Sequence, residues 1–424
     1  MKVVWLLNFL FFFLRRDEVM LAKSIVRDVC LLIGSETCMN LIGVKLIVES
    51  ILPLLHCPQP SAPQIVGLWG MAGIGKTAIT REIFRTQAQR YDLSYFLPDF
   101  HLMRKTKTLS YLRDDFFSKI FGEEKVFIDA CDTKLSFTRN RFLDKTVLIV
   151  LDGVNNARDA EVLVGGFSWF SGGHTIILTF RNKQVLVECN AKELYEIPKL
   201  SEHESLRLCC QFSTEHNWKG RMSLISELVN YAGGIPLALR VLGSSVQKQC
   251  INDEKQHLRR LRQHPPIEIQ DAFRNSFNGL HDNEKNIFLD LACFFRGEKK
   301  DHVVNILDGC GLFTDLGIYA LTDESLISIV DNKLEMPNIF QDTGRYVVCQ
   351  EDKEAGKRSR LWDSNDIVDV LTNNLVSLTK CISMLSTKCL GIFLQLGKVI
   401  FSTSFPFFFR EQKQLKAYFL MCLA

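Results

Sequence analysis

Gly70-Met71-Ala72-Gly73-Ile74-Gly75-Lys76-Thr77 carries the clearest chemistry in the chain. The run fits G-x-x-x-x-G-K-[S/T] and follows a short apolar stretch, Ile65 to Trp69. Glycine lets backbone N–H groups wrap phosphate oxygens without a Cβ in the way. Lys76 is placed to reach β- and γ-phosphates, and the Thr77 hydroxyl to ligate Mg²⁺. A helix opening at Thr77 points its positive end at the same phosphates. The spacing predicts a nucleotide site.

Two residues downstream extend it. Thr146–Leu151 reads as a buried strand ending in Asp152. An acid there serves a phosphate-bound Mg²⁺, or it caps the next helix. Arg181 follows the strand Thr175–Thr179 and could sense a γ-phosphate, although many strands end in Arg.

Other chemistries find no motif: no H-E-x-x-H, no G-x-S-x-G and no G-x-G-x-x-G. The 14 cysteines show no C-x-x-C, and Cys209 and Cys210 are adjacent, so reduced, mostly buried thiols are expected.

The elements that must position these residues follow from patterning. Residues 64–200 alternate apolar strands with helical stretches, which predicts a parallel α/β sheet. Residues 201–266 read as helices only. Ser201 and Glu204 form a capping box, Gly233-Gly234 ends one helix, and Pro236 begins the next. In residues 267–372, Asp282 is expected to cap a helix whose apolar face is Ile287, Phe288, Leu291, Ala292 and Phe295, with Gly297 closing it. Two short strands then flank Asp331-Asn332-Lys333, predicting a winged helix. The expected fold is a P-loop α/β core, then an all-α bundle, then a winged-helix subdomain.

The chain has 424 residues and a net charge of +3, so whole-chain charge makes no case for nucleic-acid binding. Arg296, Lys299 and Lys300 cluster near the winged helix without the dense basic patch that DNA phosphates require. Residues 17–63 read as a helical lead-in, with a helix through Ile25, Val26 and Val29, and a proline-rich linker, Cys57–Pro63. Residues 1–16 are an apolar segment too short to span a bilayer and without a small-residue cleavage site; a signal peptide is the lesser reading. Residues 373–424 form a tail of charge +5 with six Phe in its last 24 residues. Both ends differ in composition from the middle, and no membrane span is expected.

The stretches IVGLWGMAGIGKTAI, TVLIVLDGVN, GGHTIILTFRN, YEIPKLSEHESLRL, YAGGIPLALRVLGS, NIFLDLACFFRGE, LTDESLISI and GKRSRLW occur in the order and at the spacing of a known family. Residues 17–372 resemble the NB-ARC nucleotide switch of plant disease-resistance proteins. FLDLACFF, with Asn155 after the acid strand, points to the class with an N-terminal TIR domain and C-terminal leucine-rich repeats. The sequence shows neither of those domains.

The resemblance implies a cytoplasmic or nuclear regulatory switch in defence signalling that binds ADP or ATP with Mg²⁺. ADP would hold it closed, and ATP exchange would open it for homo- or hetero-oligomerisation with other immune receptors. Gly70, Gly73, Gly75, Lys76, Thr77 and Ala78 would hold phosphates, Thr77 and Asp152 the metal, Arg181 the γ-phosphate, and Pro236 would pack against adenine. Two departures stand out. Gly153 occupies the position of the family's second acid, so any ATPase would be very slow. The family's Met-His-Asp triplet, whose His meets the β-phosphate of ADP, appears as Met336-Pro337-Asn338. Two competing readings are a catalytically silent scaffold acting with a complete receptor and a hydrolase of a soluble substrate.

Overall fold

The computed structural model describes residues 42–56, 62–122, 138–154, 156–213, 222–247 and 254–372. The apolar start, the helix through Ile25 to Val29, most of the linker, Asn155 and the basic tail lie outside the described residues. The chain divides into two compact units. One comprises Met1–Gly67, Lys76–Thr179 and Cys189–Tyr195; the other comprises Leu68–Gly75, Phe180–Glu188 and Glu196–Ala424.

The first unit is built on a five-stranded sheet. Its strands are β1 (Gln64–Trp69), β2 (Leu93–Leu97), β3 (Val147–Leu151), β4 (Thr175–Phe180) and β5 (Glu193–Glu196), in the order β2-β3-β4-β1-β5. β2 pairs with β3 in parallel, Leu93 opposite Val147, and β3 with β4, Leu148 opposite Thr175. The sequence VLIVL makes β3 a central strand: every residue is apolar and fully buried, as a sheet covered on both faces requires. The helix Lys76–Gln87 buries Ile79, Thr80 and Ile83. The helix Leu109–Phe121 buries Leu112, Phe116, Phe117 and Ile120, and Phe116 meets Tyr95 edge-on at 4.9 Å. Edge strands β2 and β5 carry mixed, partly exposed faces and were not picked out by apolar runs. Thr146, expected to open β3, instead hydrogen-bonds the Asp92 carboxylate through its N–H and hydroxyl.

The second unit is helical with one hairpin. Ser201 and Glu204 close the expected capping box on the helix Glu202–Phe212. Gly233 and Gly234 follow the helix Met222–Ala232 with φ of 60° and 77°, and Pro236 is the first residue of the helix Pro236–Gln247. One apolar cluster includes Leu228, Leu239, Phe273, Phe288, Ile318 and Phe340. Phe273 lies 5.3 Å from Phe288, ring to ring. The hairpin pairs β6 (Ser328–Val330) with β7 (Lys333–Glu335). Its two-residue turn places Asp331 and Asn332 at φ of 51° and 59°, the left-handed pair that matches strand twist.

The helix expected from Asp282 to Gly297 differs in two ways. Asp282 is the first helical residue of Asp282–Asp290 and His281 precedes it, without a side-chain cap. That helix does not run on as α-helix: Leu291–Phe295 forms a π-helical turn before Gly297. Pro337 holds the cap position of the helix Asn338–Cys349, whose first residue is Asn338. The Asn338 side chain accepts from Arg296 Nη1 and donates to the Asn230 carbonyl at 3.3 Å.

Candidate functional site

The glycine-rich loop joins β1 to the helix Lys76–Gln87, so the strand–loop–helix order demanded by the motif is present. Gly70, Gly73 and Gly75 have φ of 148°, 79° and 103°. Gly73 is the position where no other residue fits: a Cβ would stand 2.8 Å from Leu237 Cβ. Ile74 N–H donates to the Met71 carbonyl at 3.3 Å and tightens the loop. Lys76, Thr77 and Ala78 form the first helical turn, half-buried.

The first unit brings Thr77 and Asp152 together. Thr77 Oγ1 donates to Asp152 Oδ2 at 2.6 Å. Asp152 is 2% exposed and follows β3 directly. It does not cap the next helix; Asn156 does, its Oδ1 accepting from Arg158 and Asp159 N–H on Ala157–Val164. A residue absent from the expected set completes the arrangement. Thr179, fully buried on β4, donates its hydroxyl to Asp152 Oδ1 at 2.6 Å and accepts from Gly153 N–H at 2.8 Å. A polar residue next to the end of a fully buried strand was the available signal. β4 lies next to β3 and β1 in the sheet, which aligns Thr179 with the acid.

The second unit holds the other expected residues. Leu237 N–H donates to the Gly73 carbonyl at 3.1 Å, so the helix that Pro236 begins abuts the glycine-rich loop. Arg181 Nη1 donates to Ser276 Oγ at 3.0 Å and lies near the Ala272 carbonyl at 3.5 Å. Burial pushes the Arg181 pKa down, and Glu324 opposes that shift. Among the described residues no cluster of three or more His, Cys, Asp or Glu could bind a metal by itself. A Mg²⁺ here would be held by Thr77, Asp152, water and phosphate oxygens. A buried carboxylate bonded to a hydroxyl at the helix start fits that role.

A parallel α/β core with a phosphate loop before one helix and an acid closing a second strand, one strand removed in the sheet, defines a P-loop NTPase fold. The fold is shared with a Walker-type ATPase from Pyrococcus abyssi (TM-score 0.50, 12% identity, covering 72% of this chain and 96% of that one). The NB-ARC domain family matches residues 48–219, and the winged-helix domain of Roq1-like disease resistance proteins matches residues 281–352. The chain is 56% identical to disease resistance protein RPP2A of Arabidopsis thaliana over 358 residues, 84% of this chain and 26% of the relative. It is 35% identical to TMV resistance protein N of Nicotiana glutinosa over 345 residues, 79% of this chain and 30% of the relative. The chain belongs to the NB-ARC family of plant disease resistance proteins, and it spans about a quarter of the length of these relatives. No helix among the described residues is long and apolar enough to cross a membrane.

Proposed function

We propose that the chain is an adenine-nucleotide-binding regulatory switch of an intracellular plant immune receptor. The observation that carries the reading is the Thr77–Asp152 hydrogen bond at the foot of the glycine-rich loop. It joins the hydroxyl expected to ligate Mg²⁺ to the acid expected to serve it.

In this reading the N–H groups of residues 70–78 bind the phosphates, with Gly70, Gly73 and Gly75 permitting the close approach. Lys76 neutralises β/γ charge, Arg181 contacts a γ-phosphate, and Pro236 packs against adenine. Mg²⁺, when bound, screens the phosphate charge. Thr77 and Asp152 would hold it. Gly153 offers no side chain to orient or deprotonate an attacking water, so bound ATP persists and the chain acts as a timer rather than a turnover enzyme. The family's larger receptors supply the setting: a cytoplasmic or nuclear protein that changes partners, as homo- or hetero-oligomer, with its nucleotide state.

The deciding measurement is mass identification of nucleotide released on denaturing the purified protein. ADP or ATP is expected from the natural sequence and none from Lys76→Ala, which removes the loop's cation. Equal content in the two proteins would overturn the reading.

A further inference from the structure

We infer that Thr179 is a positioning residue for the metal-serving acid, and that it confers most of the Mg²⁺ dependence of nucleotide binding. The proposal rests on the nucleotide reading above and deepens it.

Thr179 grips the segment after β3 at three consecutive residues. Its hydroxyl donates to Asp152 Oδ1 and accepts from Gly153 N–H, and its carbonyl accepts from Val154 N–H at 3.1 Å. The other carboxylate oxygen, Asp152 Oδ2, receives Thr77 Oγ1. The carboxylate is therefore held from both sides, with its plane fixed by two hydroxyls on different elements. The backbone around it is pinned too. Asp152 N–H donates to the Leu97 carbonyl at 2.9 Å, and the Asp152 carbonyl accepts from Phe100 N–H at 2.8 Å. Only the side-chain rotation remains to be set, and Thr179 sets it from β4 while Thr77 meets the other oxygen. A buried acid free to rotate would turn its second oxygen away from Thr77 and lose the paired geometry that a hydrated divalent cation demands. Thr179 touches neither metal nor phosphate in this account; it acts through Asp152.

The test compares ATP affinity, by calorimetric titration, in Mg²⁺ and in EDTA. Valine keeps the shape of threonine and removes both hydrogen bonds. Thr179→Val is expected to lose about tenfold or more of the affinity gained with Mg²⁺ and to keep its affinity in EDTA. Thr179→Ser, which restores the hydroxyl, should recover the gain. On an Asp152→Asn background Thr179→Val should change nothing further. An unchanged Mg²⁺ gain in Thr179→Val overturns the proposal, and so does an equal loss in both buffers, the sign of a merely structural role. Should Thr179→Val not fold by circular dichroism, Thr179→Cys replaces it, with a weak donor at similar volume; a full Mg²⁺ gain in that variant also overturns the proposal. A natural chain that binds no ATP in either buffer overturns the nucleotide reading itself, which separates the two failures.

Discussion

The backbone N–H of Leu237 donates to the carbonyl of Gly73 at 3.1 Å, and the Leu237 side chain fills the space where a Cβ on Gly73 would stand. The glycine-rich loop and the helix Pro236–Gln247 are fitted to each other within one compact unit. The position of the phosphate loop thus depends on a helix more than 160 residues further along the chain.

Gly73→Ala should therefore be costly for two reasons. Its φ of 79° is strained for alanine, and its methyl would meet Leu237 Cβ at 2.8 Å. A loss of about 1–3 kcal/mol is expected in urea unfolding without nucleotide. Gly75→Ala, at φ 103° with nothing within 4 Å of its Cβ, should lose only the strain part.

Gly153→Asp should raise ATP turnover. Gly153 sits at φ 72°, a conformation that Asp tolerates better than most residues. A Cβ there would be 3.8 Å from Asp99 Cα and Phe100 N, ordinary contact distance. A positioned base is worth about 10²–10⁴ in rate, so phosphate release should increase by at least the lower figure. No increase would mean that the absent acid is not what limits hydrolysis.

Pro337→His with Asn338→Asp should tighten ADP. Proline at 337 offers neither side-chain donor nor N–H. Its φ of −57° is open to histidine, and the carboxylate introduced by Asn338→Asp would face the Arg296 guanidinium that Asn338 now engages. A new hydrogen bond to a charged phosphate corresponds to roughly tenfold or more in ADP titration. An unchanged affinity would remove the triplet from any role at the nucleotide.

Ser201→Ala should destabilise the chain in a pH-dependent way. The Ser201 hydroxyl and N–H hold the Glu204 carboxylate below its ordinary pKa of 4.5. A depressed acid contributes stability above its unfolded pKa and loses it as pH falls through the folded value. The cost should be about 1 kcal/mol at neutral pH, shrinking as the pH falls below 4.5. Urea midpoints across that range are the check; a constant difference would exclude the titrating box.

Arg360→Ala should unfold the second unit more readily. Arg360 is 7% exposed; it donates to Asp290 Oδ1 at 2.6 Å and to the Asn286 carbonyl at 3.0 Å. Removing it leaves a carboxylate only 14% exposed without its partner, a loss of about 3 kcal/mol. Asp290→Asn added to Arg360→Ala should recover part of that loss in thermal melting.

What the sequence determined was local. The phosphate loop is legible because its glycines, Lys76 and Thr77 lie within eight residues and each answers a backbone or charge requirement of that segment. The same holds for the Ser201–Glu204 box, Pro236 at a helix start, and the Asp331-Asn332 turn. β3 and β4 showed because strands covered on both faces are mostly apolar; β2 and β5, on the sheet edges, had no such constraint and left no run to read. Tertiary structure decided what sequence distance hides. Strand order sets β4 beside β3 and turns Thr179 into a partner of Asp152, and no periodicity in the sequence encodes that order. Packing also turned the helix after Asp290 into a π turn and placed Arg360 against Asp290 across 70 residues. Those pairings depend on which elements meet, and that is fixed by burial of the whole chain rather than by any segment's own preference.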